Sequence, residues 1–319
     1  MALITRPHLR ARHPVVGLRA RFRHLTRRHL QVALGLLWLL DGALQAQPFM
    51  YTSGFATQVI APVGQGQPGF VSGPVNFASA IIAAHPFAVN LVFVAIQLLL
   101  GIGLLVRRTA RVSLIASIGW ALGVWYLGEG LSGLASGHAS LLSGAPGSAL
   151  LFAILAAAAW PAGDSDRAPA RWLVPAWTLL WVGAAIFQLL PGQNSGDAVA
   201  SVLTAGAGQA PHRLAQLDTS VATWASQHGL LAVLGLAAVE VLVGVAALPR
   251  VTRTWALWAG LVLSIAIWVI GQDLGQLYSG QATDPNSAPL FVMMAAALLA
   301  VGGSPVRRRR LAADASATP

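Results

Sequence analysis

Long apolar runs alternate with polar or arginine-bearing turns along most of the chain. Eight of these runs approach the length of about 20 residues that an α-helix needs to cross a membrane. Backbone groups surrounded by lipid must form their hydrogen bonds internally, so each run is predicted to be helical. The predicted helices are 30–47, 86–106, 112–134, 148–160, 172–190, 229–248, 255–278 and 289–302.

Two long segments, 49–84 and 191–227, separate the first predicted helix of each half from the second. The segment 49–84 contains no Arg, Asp or Glu and is rich in Gly, Pro, Gln and Ser. Glycine and proline punctuate local structure, so both segments are interpreted as outer loops. Only 54–61 is expected to form a short interfacial helix.

The chain repeats itself at a fixed offset of 143 positions. LLWLLDGALQAQP at 36–48 matches LLWVGAAIFQLLP at 179–191, and WYLGEGLSGLASG at 125–137 matches WVIGQDLGQLYSG at 268–280. His85 pairs with His228 at the same offset. Matching Trp, His, Pro and Gly at one offset indicate a tandem duplication.

The duplication predicts an all-α integral membrane protein of about eight transmembrane helices, arranged as two tandem four-helix units. Each unit has an even number of spans, so both face the same way. A pseudo-two-fold axis along the membrane normal is therefore expected. The predicted divisions are a cytoplasmic Arg-rich arm (1–29), the first unit (30–163), a linker (164–171), the second unit (172–305) and a cytoplasmic tail (306–319).

Composition and charge agree with a membrane location. Hydrophobic residues make up 56% of the chain and charged residues 9%, against about 25% charged in soluble domains. All 20 basic side chains are arginines, and with the N-terminus inside only Arg213 falls outside. This positive-inside pattern predicts a multi-pass plasma-membrane protein with both termini in the cytoplasm. Topology then explains the net charge of +10, and no nucleic acid is expected as a partner.

Four acidic residues lie within the apolar runs, where a carboxylate is costly and is a candidate for function. Asp41, Glu129 and Asp273 fall in the outer half of the membrane and are expected to line one outward-facing cavity. Glu240 lies nearer mid-membrane and, like its counterpart Gln97, is interpreted as structural polar glue between helices. The predicted outer polar cluster is Asp41, Gln45, Glu129, Gln272, Asp273, Gln276, His85 and His228.

The acids themselves are not duplicated. Asp41 aligns with Ala184, and Glu129 aligns with Gln272. A symmetric scaffold with a diverged polar lining favours one asymmetric site over two equal ones. The alternative interpretation is that protonated acids only join helices and that the histidines only begin them.

A family resemblance follows from two motifs. Leu34-Gly35-Leu36-Leu37-Trp38 followed by Asp41-Gly42 resembles the first helix of DoxX-like membrane proteins, which are small four-helix units. Glu240-Val-Leu-Val-Gly244, leading into a turn with Arg250 and Arg253, is similar to their second helix. The resemblance implies a tandem DoxX-like protein, and some relatives are linked to quinone-dependent thiosulfate oxidation or redox-stress complexes. A quinone is therefore a possible cofactor.

The predicted function is a non-catalytic membrane subunit or scaffold with an outward-facing polar pocket for a lipid, a quinone or a protein partner. That partner would be another membrane or extracytoplasmic protein. One alternative is a small-solute or proton transporter that uses the buried carboxylates, although no interrupted helices are expected in matched positions. Another is the membrane subunit of a quinone-linked oxidoreductase. The chain has no cysteine and no recognised nucleophile–base or metal-ligand spacing, so no catalytic or metal-binding residue is predicted.

Overall fold

The computed structural model describes residues 25–161, 170–208 and 210–301, and every regular element within these residues is helical. The predicted all-α class is confirmed. The predicted arm (1–29), linker (164–171) and tail (306–319) lie wholly or mostly outside the described residues.

The first half contains six α-helices joined by short helical turns. A π-helical segment, Phe55–Ile60, leads into the second of them, and 3₁₀ turns lie at Pro48–Tyr51, Gly130–Gly133 and Leu141–Ser143. The α-helices are α1 (Arg27–Gln45), α2 (Ala61–Val63), α3 (Gly69–Ala84), α4 (Pro86–Leu105), α5 (Ala110–Leu127) and α6 (Ser148–Ala158).

The second half follows a similar order. One 3₁₀ turn, Asp273–Gln276, precedes its last helix. The α-helices are α7 (Leu173–Gln188), α8 (Gly196–Ala205), α9 (His212–His228), α10 (Leu230–Val245), α11 (Arg253–Val269) and α12 (Ser287–Val301).

Two helices in the described part of the chain, α4 and α5, are each long and apolar enough to cross a membrane. A third candidate is the pair α9 and α10, which passes only jointly and bends by 109° at its break. Six further apolar helices, α3, α6, α7, α8, α11 and α12, are 10–17 residues long. These lengths and compositions are compatible with a membrane protein.

The interpretation of 49–84 and 191–227 as loops is wrong, because both segments are largely helical. In α3 the buried residues Val71, Val75, Ser79 and Ile82 recur every three or four positions, which is the spacing of one helical face. The Gly and Pro content of the segment obscured this periodicity. The expected short helix at 54–61 overlaps the π-helical segment.

The third and seventh predicted helices, 112–134 and 255–278, end earlier than expected. After α5, Leu131 and Ser132 have positive φ angles of 55° and 52°, which an α-helix cannot contain. After α11, Leu274 and Gly275 have φ angles of 55° and 68°. Glu129 and Asp273 therefore lie in turns beyond the helix ends.

Interrupted helices do occur near matched positions, contrary to expectation. The break between α3 and α4 falls at His85, directly before Pro86, whose missing N–H cannot continue the helix. The break between α9 and α10 falls at Gly229, which has φ 51° and ψ −124°. Position 228 is the counterpart of His85 at the offset of 143, so the two breaks differ by one residue.

Close helix contacts hold each half together through glycine. α1 packs against α4 and α7 packs against α10. A Cβ placed on Gly101 of α4 would lie 2.6 Å from Leu39 Cγ and 2.9 Å from the Gly35 carbonyl oxygen. A Cβ on Gly244 of α10 would lie 3.2 Å from the Thr178 carbonyl oxygen. The two halves meet where α6 packs against α12.

The Gly101 contact makes a prediction about stability. Gly101→Leu forces a side chain into the α1–α4 contact and should lower the free energy of unfolding by about 1–3 kcal/mol. Gly235→Leu is the matched control, because a Cβ at this helical glycine meets nothing within 4 Å. Thermal unfolding of the detergent-purified proteins, followed by tryptophan fluorescence, measures both. Equal stability of the two variants would contradict the close α1–α4 packing.

Candidate functional site

A cavity of about 370 Å³, termed here the inner cavity, lies mainly within the first half. It lies among α1, α3, α4, α5, the π-helical segment and the start of α6. Its aromatic lining residues are Trp38, Phe55, Phe93, Trp120 and Phe152. Its polar and acidic lining residues are Asp41, Gln45, Gln97, Glu129, Ser148, Thr283 and Asp284.

Three polar atoms of the inner cavity are buried without a hydrogen-bond partner in the described part of the chain. They are Asp41 Oδ1, Gln97 Oε1 and Trp120 Nε1. The Asp41 and Gln97 side chains belong to residues that are only 2% and 8% exposed. A buried polar group left unpaired costs about 1–3 kcal/mol. Three residues with such a group therefore line one cavity.

Neighbouring residues hold Asp41 in place on α1. One turn earlier, the indole Nε1 of Trp38 donates to Ser117 Oγ at 2.8 Å. The Trp38 ring packs on Phe152 of α6 with ring centroids 4.4 Å apart. One turn later, Gln45 Nε2 donates to Asn90 Oδ1 at 2.5 Å and Asn90 Nδ2 returns a bond to the Gln45 carbonyl oxygen at 2.9 Å. Gln45 thus ties α1 to α4, whereas Asp41 keeps a free carboxylate oxygen.

Glu129 caps the start of α6. Its Oε1 accepts hydrogen bonds from Ser148 Oγ at 2.7 Å and from the Ala149 backbone N–H at 3.0 Å, while Ser132 Oγ donates to Oε2 at 3.3 Å. Burial and the nearby charge of Asp284 raise the pKa of Glu129 to about 7, and these hydrogen bonds only partly oppose the rise.

A second, more polar cavity of about 690 Å³ lies between the two halves and is termed here the outer vestibule. Glu129, Ser148 and Asp284 line both cavities. Asp284 comes from the turn before α12, so the second half contributes an acid to the cavity of the first. The predicted residues Gln272 and Gln276 line the vestibule, together with His138.

Gln272 repeats the role of Glu129 without its charge. The Ala288 N–H donates to Gln272 Oε1 at 3.2 Å, at the start of α12. Gln272 Nε2 donates to Ser287 Oγ and to the Leu141 carbonyl oxygen, both at 3.0 Å. A neutral amide therefore satisfies the same helix start and also reaches the first half.

Asp273 lines neither cavity and faces another acid instead. It lies beside Asp218 of α9, whose Oδ1 accepts from the Gly271 N–H at 3.2 Å, while both Asp273 carboxylate oxygens lack a hydrogen-bond partner in the described part of the chain. Both residues are at most 1% exposed. Of the three acids expected to share a cavity, the structure brings Asp41 and Glu129 together and places Asp273 elsewhere.

The remaining predicted residues lie apart from the two cavities. His85 and His228 are exposed, and His228 stacks on Trp224 at 4.6 Å. Glu240 is 1% exposed with Oε2 unpartnered among the described residues. Gln97 lines the inner cavity without an interhelical bond, so the interpretation of this pair as glue stays a prediction. No group of three or more potential metal ligands occurs in the described ranges.

Sequence reasoning missed Asp218, Asp284 and Trp120 as polar partners of the site region. Both acids lie outside the predicted apolar helices, so neither was counted as buried. For Asp218 a signal existed, since Asp218, Ala222 and Ala225 follow the buried face of α9. Asp284 reaches the inner cavity only through the packing of the two halves.

Comparisons of the chain with protein-family models, with curated proteins and with solved structures gave no match. The resemblance to DoxX-like proteins stays a prediction.

The environment of Glu129 makes stability depend on pH. The pKa of this carboxyl is about 7 in the folded protein, against an ordinary value of 4.5. Between these values the folded protein holds a proton that the unfolded chain releases, so its stability should fall as pH rises toward about 7. Glu129→Gln should reduce this fall while keeping the cap on α6, as Gln272 does on α12.

Unfolding midpoints measured across this pH range in detergent test the expectation. Asp197→Asn, which changes an exposed acid, is the control and should retain the wild-type pH dependence. A Glu129→Gln variant with the full wild-type dependence would contradict the assignment.

Proposed function

We propose that this chain is a multi-pass membrane protein built from two copies of one unit, and that its first unit binds a small molecule. The molecule is largely apolar and carries a polar group, as a lipid or a quinone does. The protein acts as a non-catalytic binding subunit or scaffold. The single observation that carries the proposal is the trio of unpartnered polar atoms on residues that line the largely apolar inner cavity.

Recurring side-chain contacts support the duplication. Trp125 Nε1 donates to the Pro146 carbonyl oxygen at 2.7 Å, and Trp268 Nε1 donates to that of Pro285 at 2.8 Å. In the arginine turns, Thr109 Oγ1 donates to the Gly103 carbonyl oxygen at 2.8 Å. Its counterpart, Thr252, donates to the Ala246 carbonyl oxygen at 2.7 Å. These recurring hydrogen bonds support the proposal that the two units share one fold.

Aligned residues support a single binding site in the first unit. Asp41 corresponds to Ala184, so the second unit lacks this acid. Gly119 and Gly123 line the inner cavity, and a Cβ on either would meet nothing within 4 Å. Their counterparts are the larger Val262 and Ala266. The small residues at 119 and 123 thus leave room at the inner cavity of the first unit.

The lining of the inner cavity supports access from the lipid side. Ile81 of α3 is 42% exposed, and Gly119 and Leu127 of α5 are also exposed. All three line the cavity. In a membrane these outer faces would contact lipid, so an amphiphilic molecule could enter between α3 and α5 with its polar group toward the vestibule.

Transport is the second candidate function. The observation that favours it is the pair of helix breaks at His85 and Gly229, since transporters place substrates at interrupted helices in corresponding positions of two repeats. Asp41 and Glu129 would then carry a proton or bind the solute.

The proposed topology places α3 and α8 outside and the arginine turns inside. A cysteine introduced in place of Ser72 or Ser201 should react with an impermeant thiol reagent added to intact cells. Val251→Cys is the control, because Val251 is 89% exposed but belongs to an arginine turn; it should react only after permeabilisation. The chain has no native cysteine to interfere. The reverse labelling pattern would refute the topology.

Filling the inner cavity tests binding. Gly123→Leu should remove a molecule that copurifies with the wild-type protein from native membranes, because the added side chain enters the cavity without a backbone clash. Gly235→Leu is the matched control and should retain it. Native mass spectrometry identifies the bound component, and equal occupancy in both variants would refute the site. Transport is tested by measuring proton flux into proteoliposomes that contain the same variants. If the protein is a transporter, the wild type should show proton flux and Gly123→Leu should abolish it.

A further inference from the structure

We propose that the ligand of the inner cavity is a lipophilic cation, such as an amine or quaternary ammonium compound, whose charged group lies beside Asp41. The inference rests on the proposed binding function and names the ligand class of that same site. Charge, aromatic lining and the unequal hydrogen bonding of the acids carry it.

The acids of the inner cavity have no basic residue beside them. Asp41, Glu129 and Asp284 line it, and no Arg or His is among the lining residues in the described ranges. Asp284 and Glu129 lie close enough to repel a charge on Asp41. The basic groups Arg28 and Arg253 are occupied elsewhere, on carbonyl oxygens at the end of α4 and in the turn after α10. A bound cation would favour the ionised form of these acids and supply the positive partner that the lining lacks.

Asp41 is the acid that remains free to pair with a ligand. Glu129 already accepts bonds from Ser148 and Ala149. Asp284 accepts from Thr283 Oγ1 at 2.8 Å and from the Asn286 N–H at 2.7 Å. Asp41 accepts none from the described residues, and its Oδ1 is buried and unpartnered. A buried carboxylate of this kind needs a charged or hydrogen-bonding partner.

Aromatic rings complete a cation site. Trp120 packs edge-on against Phe93 with ring centroids 5.3 Å apart, and Trp38 packs on Phe152; all four residues line the cavity. A cation over the face of a tryptophan ring is attracted by its quadrupole, more strongly when water is excluded. Gln97 Oε1 adds one more unpartnered acceptor.

The same lining residues disfavour an anionic ligand and a neutral ligand. An anion would meet three acids and no positive side chain in the lining. A neutral quinone offers only carbonyl oxygens, which accept hydrogen bonds. It cannot pair with the unpartnered oxygens of Asp41 and Gln97, because these are acceptors as well. Both classes are retained as outcomes of the test.

Isothermal titration of the detergent-purified protein with three probes tests the inference. The probes are tetraphenylphosphonium, the similarly shaped anion tetraphenylborate, and the neutral short-chain quinone decylubiquinone. Tetraphenylphosphonium should bind the wild type, and Asp41→Asn should weaken its binding about tenfold or more through loss of the charged partner. Gly123→Leu should abolish binding, and Gly235→Leu should leave it unchanged.

A second variant guards against misfolding. If Asp41→Asn loses its cooperative thermal unfolding, Asp284→Asn takes its place, since Asp284 lies in a turn and should weaken cation binding by a smaller factor. Equal binding of both tetraphenyl ions, unaffected by either change, would reveal adsorption to apolar surface and overturn the inference.

The outcomes separate this inference from the function on which it rests. If decylubiquinone binds and only Gly123→Leu blocks it, the cavity is a binding site but the cation assignment is wrong. If no probe binds, and wild type and Gly123→Leu copurify with the same components, both the cation and the binding function are refuted.

Discussion

Helix ends in apolar surroundings must find hydrogen-bond partners within the chain, and this constraint organises both ends of the bundle. At one end Arg28 donates to the carbonyl oxygens of Leu104 and Leu105, and Arg253 does the same for Ala247 and Leu248. At the opposite end the starts of α6 and α12 are capped by the side chains at positions 129 and 272. Arg28 and Arg253 thus satisfy backbone groups at one end, and Glu129 and Gln272 do so at the other.

The cap at position 129 connects this constraint to the candidate site. Glutamine suffices at the equivalent position of the second half, where it bonds Ser287 and Ala288. Glutamate at 129 therefore adds a charge that capping alone does not require. That charge lies where the inner cavity meets the outer vestibule, beside Asp284 from the other half. Residue 129 thus both caps α6 and places a charge where the polar outer vestibule meets the largely apolar inner cavity.

The two halves differ at residues that line the inner cavity. The core pairs agree closely, since Trp38 packs on Phe152 and Trp181 packs on Phe291 at 5.4 Å. The differences concentrate on α5, where Gly119 and Gly123 leave open space, and on α1, where Asp41 enters it. The buried pair of Asp218 and Asp273 marks the second half instead, as a contact between α9 and a turn.

The sequence by itself determined the helical class, the positions of most apolar helices, the segregation of arginine and the candidacy of Asp41 and Glu129. These follow from local properties: apolar run length, charge and a repeated pattern. Tertiary structure alone decided that α3 and α9 are helices, each separated by a break from the helix that follows, because glycine and proline allow turns and helices alike. Packing of one half on the other brought Asp284 to the inner cavity, and packing within the second half placed Asp273 beside Asp218. Such contacts join residues that are far apart in the chain. The pattern of apolar residues predicts which positions are buried, but it does not predict which buried side chains lie next to each other.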